Sequence, residues 1–311
     1  MQPKHSFIEH LRMLVSHFVH RLKETPLLLG WLVIGLLVTL VTDGWMGLAL
    51  GLANYVLAGG YVLLIRWMTP NPPAAEPVKR PRLELALGLG LLGLFLLIQL
   101  LDFDVWTIQP WYGWVKGLFR QVYVGVYGLR SIPDWAQKDV YLAASSTIKQ
   151  LIPTLLLFWL LGYRRSSMGL ARPHWKLSAA LLGITIFFGL VAGFLSNTPL
   201  SIIVGLYLIG LFINALPEEL FFRGFLLPRL EKILANPLNA LVVSALLFNA
   251  LHIPIDVRNG IPPLTALLDV FGTGYPSGLL WGYLYLRTRS VIPGMLWHGA
   301  NLNLGFILMS R

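Results

Sequence analysis

The sequence predicts an all-α integral membrane protein, a polytopic bundle of about eight or nine transmembrane helices. Three observations carry that prediction. Of 311 residues, 56% are hydrophobic and only 12% charged, with a mean hydropathy of +0.68, outside the usual range of globular domains. The apolar residues gather in long runs almost free of charge, and about 18 or more such residues in a row read as a membrane span. Lipid offers the backbone no hydrogen bonds, so spanning runs are helices or closed barrels. The period-two alternation expected of a barrel is absent from them.

In chain order, residues 1–26 come first, and they are too charged for a signal peptide, whose apolar core follows a short basic stretch directly. Ile8, Leu11, Leu14, Phe18 and Leu22 recur there at helical spacing among Arg12, Arg21 and Lys23, which predicts an amphipathic basic arm lying on the membrane surface. Its histidines, His5, His10, His17 and His20, fit a solvated basic face better than a metal site. Apolar segments follow at about 27–42, 45–65, 85–101, 147–163, 177–196, 201–216, 238–252, 277–286 and 291–309. The eighth is too short to span alone. Residues 68–82 are rich in proline and charge and read as a linker within an N-terminal membrane region, 27–101. Residues 102–145, with Trp106, Trp111, Trp114 and Trp135, read as an extramembrane or interfacial region rather than a span. Residues 146–311 form the last unit, and no internal repeat is evident.

The net charge of +10 is the loop Lys and Arg that orient a membrane protein and meet anionic lipid headgroups. No basic run with interleaved aromatics suggests nucleic acid as a partner. The chain has no cysteine, which excludes disulfides, thiolate catalysis and Cys-ligated metal. Basic residues cluster at 66–82, at 164–176, at Arg223, Arg229 and Lys232, and at Arg287 and Arg289. Threading the segments alternately puts these four loops and the N-terminus on one side, expected to be the cytoplasmic side of a bacterial plasma membrane. Lys116, Arg120, Arg130 and Lys138 fall on the other side.

Ionisable side chains inside membrane helices are costly and are functional candidates by default. Glu218 and Glu219 interrupt the longest apolar stretch, and of the seven histidines only His252 and His298 lie within strongly apolar segments. Neighbouring carboxylates in a poor dielectric do not readily both ionise. Arg223, four residues after Glu219 and on its helical face, is placed to hold that carboxylate charged. Glu218 is then left free to exchange protons. With Ala235–Pro237 taken as a turn, Glu219 and His252 are about equally far from it, which puts them at similar depth on antiparallel helices. Phe248, one turn before His252, would wall the same pocket, and His298 and Asn301 share a face.

Each of these residues alone has an ordinary structural explanation. A Glu–Arg pair near a helix end is commonly a salt bridge, a buried histidine a helix contact, and Asp269 a helix-end residue. Two glutamates, an arginine and the two membrane histidines within one hundred residues favour a functional site over separate coincidences.

Three motifs carry this combination: the stretch Glu218-Glu219-Leu-Phe-Phe-Arg223 matches EExxxR, Phe248-Asn-Ala-Leu-His252 matches FxxxH, and His298 with Asn301 resembles an HxxN-type motif. In this order they resemble the CAAX-protease and bacteriocin-processing family of intramembrane peptidases, over roughly residues 145–311. In the prenyl-protein protease the asparagine follows its histidine by four residues; here that place is Leu302, flanked by Asn301 and Asn303. The resemblance implies an endopeptidase acting on a membrane-associated protein or peptide, with Glu218, Glu219, Arg223, His252, His298 and Asn301 as catalytic residues and Phe222 and Phe248 in the substrate pocket. It also implies water activated in a cavity open to the cytosolic leaflet. Two histidines and a glutamate make a plausible zinc set, Glu218, His252 and His298, although HExxH is absent and a metal-free mechanism is equally consistent. The alternatives are a non-catalytic scaffold or immunity protein that retains the motifs, and a proton-coupled transporter. A transporter often shows paired halves, whereas the motifs here sit in one half.

Overall fold

A computed structural model describes residues 24–75, 77–100, 109–127, 144–170, 174–195, 200–258, 260–271 and 276–309. The basic N-terminal arm with its four histidines, Trp106 and Trp135 lie outside the described residues. Every element among the described residues is helical, and four helices are long and apolar enough to cross a bilayer. The protein is an all-α integral membrane bundle.

The first helix, α1 (Pro26–Met68), is too long for a single crossing: its 43 residues would extend about 64 Å against a hydrocarbon core of about 30 Å. Gly44 breaks it at φ 69°, ψ −160°, a backbone conformation open chiefly to glycine. The chain doubles back there, because a methyl group placed on Gly35 would meet the Tyr55 hydroxyl at 2.7 Å. The two apolar segments expected at 27–42 and 45–65 are thus the arms of one helical hairpin. Next come α2 (Pro81–Leu100) and α3 (Gln109–Tyr127), then α4 (Ile152–Leu160), preceded by a π-helical turn, Thr147–Leu151. After α5 (Trp175–Leu195), an unbroken helical rod begins with α6 (Leu200–Gly210) and ends with α7 (Leu227–Leu234). Two π-helical stretches, Leu211–Ala215 and Glu219–Leu226, widen it between them.

The turn expected at 235–237 is present. Ala235 takes a left-handed conformation at φ 52°, and Asn236 caps the next helix by accepting hydrogen bonds from the backbone N–H groups of Leu238 and Asn239. Pro237 opens α8 (Pro237–Ala250) at a position that needs no N–H donor. Short helices α9 (Ile253–Arg258) and α10 (Pro263–Asp269) follow, then α11 (Ser277–Thr288) and α12 (Ile292–Met309). The eighth apolar segment corresponds to α11. It is short because it is wrapped by protein, with Leu280, Trp281, Leu284 and Tyr285 all buried, and so it need not match the bilayer. By contrast α1 and α5 present large apolar side chains outward, Val41 at 80% exposure and Phe194 at 84%, a surface suited to lipid.

The four basic loops meet at one end of the bundle. Lys79 Nζ donates to the carbonyls of Leu161 and Gly162, and Arg287 Nε donates to Thr69 Oγ1. Val291 N–H donates to Gly169 O at 2.9 Å, and Arg289 grips Glu231 with both terminal nitrogens at 2.6 and 2.8 Å. Asn236 Nδ2 donates to Glu24 O, which brings the start of α1 to the same end. That matches the expected alternation of the segments. The chain leaves α2 and enters the helix at residue 144 at the opposite end, so the aromatic region between them makes no net crossing. Within that region α3 is helical, with Tyr112 and Val115 buried.

Near the basic end a buried ion pair joins distant parts of the chain. Arg229 Nε and Nη2 approach Glu84 Oε2 at 3.0 and 2.9 Å, with both side chains about 1% exposed. Glu84 also accepts from the Tyr163 hydroxyl at 2.7 Å and from Arg80 N–H at 2.9 Å. Arg229 Nη1 donates to the carbonyls of Gly224 and Phe225, which lie in the π-helical stretch, where the ordinary ladder of helix bonds is disturbed. Two further donors on the carboxylate and two carbonyl partners on the guanidinium are what a buried ion pair needs to offset its desolvation.

Candidate active site

The site is built on the second π-helical stretch of the rod. Such widened turns recur at functional sites because they displace side chains from regular helical phase. Here Glu218 ends the α-helical turn Leu216–Glu218, and Glu219 begins the π stretch that runs through Arg223. Arg223 Nη1 lies 3.2 Å from Glu219 Oε1, with both side chains about 1% exposed. Arg223 is held from the other side too, its Nη2 donating to Gly278 O at 3.1 Å and its guanidinium stacking 4.5 Å from the Phe248 ring centre. Cation–π packing of this kind strengthens when water is excluded.

From α12, His298 reaches between the two carboxylates. Its Nδ1 is 3.2 Å from Glu219 Oε1 and its Nε2 is 3.6 Å from Glu218 Oε2. A carboxylate accepts rather than donates when ionised, so the contact with Glu219 assigns the ring proton to Nδ1 and leaves the Nε2 lone pair toward Glu218. The imidazole is clamped by Trp281, stacked at 3.6 Å between ring centres and 19° between planes. His252 stands at the end of α8, and its Nδ1 is 3.1 Å from Phe248 O. A carbonyl can only accept, so Nδ1 carries the proton and Nε2 remains an acceptor.

Phe248 connects these groups. Its ring packs edge-on against His252 at 5.0 Å, Phe222 at 5.2 Å, Trp281 at 5.8 Å and His298 at 6.0 Å. Phe222 and Phe248 are therefore both part of the site's apolar wall. A cavity of about 110 Å³ adjoins it, and its lining includes Glu218 and His252 together with Lys149, Gln150, Asn214 and Arg258. Glu219 does not line it. The two neighbouring glutamates thus face different surroundings, one the cavity and the other Arg223 and His298.

The structure brings together Glu218, Glu219, Arg223, Phe222, Phe248, His252 and His298 as the sequence pattern suggested. Asn301 lies on α12 beyond His298, and its side chain is outside the described residues. Among the described residues no three His, Asp or Glu side chains gather into a group able to hold a metal ion. No chemical step is routed through a metal here. Asp269 takes no part in the cavity lining.

Several contributors escaped the sequence reading. Trp281 carried no signal beyond being one aromatic among many. Lys149, which lines the cavity, is a cation inside an apolar segment, and that placement is itself a functional signal in the sequence. Gly294 lets α12 approach so closely that an added methyl group would lie 2.9 Å from Glu219 Oε2.

Comparison with known proteins agrees with this architecture. No curated protein and no solved structure matches the chain. Residues 199–303 match the sequence model of the Rce1-like family, described as type II CAAX prenyl endopeptidase Rce1-like. That stretch, which carries both glutamates, Arg223 and both histidines, is thus similar to the CAAX-type family of intramembrane endopeptidases.

Proposed function

We propose that this protein is an intramembrane endopeptidase that hydrolyses a peptide bond of a membrane-associated polypeptide with water activated by Glu218 and histidine. The observation that carries the reading is the division between the two glutamates: Glu218 lines the cavity, while Glu219 is withdrawn from it and held by Arg223 and His298.

In this mechanism a water molecule in the cavity donates one hydrogen bond to Glu218 and the other to His252 Nε2. Glu218 takes the water proton as the oxygen attacks the scissile carbonyl carbon. The tetrahedral intermediate then collapses, the C–N bond breaks, and Glu218 returns the proton to the leaving amine. Between these steps the proton on Glu218 can point at the His298 Nε2 lone pair, 3.6 Å away. Glu219 keeps His298 in the tautomer that offers that lone pair, and Arg223 balances the charge of Glu219. Asn301 is the proposed oxyanion donor, on the strength of the family motif.

The test is Glu218→Gln, which keeps volume and hydrogen bonding but cannot accept and return the proton. Membranes containing the wild-type protein should show new C-termini by proteomics that are absent with the variant, at equal protein level. Cleavage is expected to fall by about 10²–10⁴-fold. A variant that supports the same cleavage products and phenotype would point instead to a non-catalytic role for the motifs.

A further inference from the structure

We infer that Lys149 is a further catalytic residue, whose ammonium group meets the scissile carbonyl and stabilises the oxyanion formed when water adds to it. The inference rests on the peptidase reading and adds a residue to it.

Lys149 enters the cavity wall through a local device written in the sequence. Pro153 has no N–H to donate, and in an α-helix its ring would press on the carbonyl four residues earlier, that of Lys149. The chain takes up this conflict in the π-helical turn Thr147–Leu151, closed by Ile152 N–H donating to Thr147 O. The same arrangement occurs twice more. Pro217 follows the π stretch Leu211–Ala215 and Pro228 follows Glu219–Leu226, each two residues past its end. Widened turns recur at functional sites, and here they supply much of the polar lining. Lys149 and Gln150 come from the first stretch, Asn214 from the second, and Glu218 directly precedes the third.

Charge sets Lys149 apart from the other lining residues. Glu218 as a carboxylate and His252 through Nε2 present acceptors to the cavity, so neither can stabilise negative charge on a substrate. Arg223 and Arg229 are paired with Glu219 and Glu84, and neither lines the cavity. Among the described residues the cations that do line it are Lys149 and Arg258, and Glu218 is the lining carboxylate. Arg258 is exposed on α9 and donates to the Gln99 backbone carbonyl. Lys149 is half-buried, and its turn packs against Leu216–Glu218, the turn that presents Glu218. Of the two cations, Lys149 is therefore the one carried by an element packed on the proposed base. Gln99, Gln150, Asn214, Ser145 and Ser146 also line the cavity, but they are neutral.

As water adds to the carbonyl carbon, its proton passes to Glu218 and the π pair of the C=O bond moves onto oxygen. Lys149 donates a hydrogen bond to that oxygen and keeps its own protons. On collapse the pair returns, the C–N bond breaks, and Glu218 protonates the leaving nitrogen. The addition step moves one negative charge from Glu218 to the carbonyl oxygen without changing the total. A fixed cation beside both positions balances the charge throughout, and it gains most where charge on the substrate grows from partial to full. Asn301 and Lys149 then act as a neutral and a charged donor to the same oxygen.

The experiment uses the full chain purified in detergent, with a synthetic peptide spanning the cleavage site found by the proteomic comparison as substrate. Lys149→Met is expected to lower kcat by about 10²–10³-fold, the usual effect of removing an oxyanion donor, with KM within about three-fold of the parent. The chain contains no cysteine, so the thiol of Lys149→Cys can be alkylated selectively, to completion by intact mass. Bromoethylamine restores an ammonium group at the end of a side chain as long as lysine, whereas iodoacetamide leaves a neutral amide of similar length. The aminoethyl adduct is expected to regain at least about ten-fold in kcat over the neutral adduct. Because the two adducts share one backbone and differ in charge, their comparison decides the matter even where Lys149→Met unfolds. Equal activity of the two adducts would overturn the inference, as would a loss in Lys149→Met confined to KM. Glu218→Gln run in parallel keeps the two readings apart. An inactive Glu218→Gln beside a fully active Lys149→Met would sink this inference alone, whereas an active Glu218→Gln would count against the peptidase chemistry itself.

Discussion

Replacing Arg223 by alanine should cost more in stability than any other single change in the site. The substitution removes the cation 3.2 Å from Glu219 Oε1 and leaves a carboxylate that is about 1% exposed. Glu219 would retain one partner, His298 Nδ1, and its Oε2 has no hydrogen-bond partner even before the change. The Gly278 carbonyl loses its donor as well. Breaking a buried pair by removing one member typically costs about 3–5 kcal/mol. Water entering the space left by the side chain would bring the result toward the lower figure. The measurement is denaturant or thermal unfolding of purified protein in detergent, run beside a cleavage assay. Arg223→Met combined with Glu219→Gln removes both charges and should recover at least half of the loss, because the penalty comes from the unpaired charge. Its activity should stay low, since His298 has lost the acceptor that fixes its tautomer. An Arg223→Ala protein that unfolds within about 1 kcal/mol of the parent would refute the argument, showing that Glu219 is not held as a charged partner.

Three further outcomes follow from the geometry. Gly294→Ala should lower the cleavage rate by ten-fold or more while the protein stays folded, because the new methyl would press on Glu219 Oε2 at 2.9 Å and misplacements of about 1 Å can cost about 10²-fold; a normal rate would show that Glu219 can move without consequence. Glu84→Gln should destabilise by about 3–5 kcal/mol, since Arg229 loses its buried counter-ion, with kcat of the folded protein within about three-fold of wild type; unfolding midpoints and single-turnover rates would separate the two effects. Because the described residues gather no three-donor metal group, protein stripped of metal and checked by elemental analysis is expected to keep its cleavage rate, and loss of activity restored by zinc would show that His252 moves to join His298 and Glu218.

Much of the site was legible because its signals are local. The Glu219–Arg223 pair is one helical turn long, and the turn at 235–237 is written in Asn236 and Pro237, so the shared depth of Glu219 and His252 followed by counting residues. The helical hairpin of α1 was legible from two apolar segments with Asp43-Gly44 between them. What could not be read was set by contacts between distant segments. Glu84 and Arg229 are 145 residues apart, and nothing in the local sequence of either points to the other. The stacking of Trp281 on His298 depends on how α11 and α12 pack. The π-helical stretches left no mark in the apolar pattern, because regular spacing of Glu219 and Arg223 fits an α-helix just as well.

The Arg229–Glu84 pair has a consequence for how the protein could be divided. Glu84 and Tyr163 lie outside the matched stretch 199–303, yet they complete the environment of an arginine inside it. The rings of Phe95 and Phe158 likewise pack on Phe221 and Phe225 at 5.0 and 5.2 Å. A fragment starting near residue 199 would keep every recognisable motif and would expose Arg229 to lipid without its counter-ion. The limits of sequence kinship are therefore narrower than the limits of cooperative folding. A transplant of the motif-bearing helices into another protein would need surrogates for α2 and for Tyr163 before its glutamates could be expected to stand where they stand here.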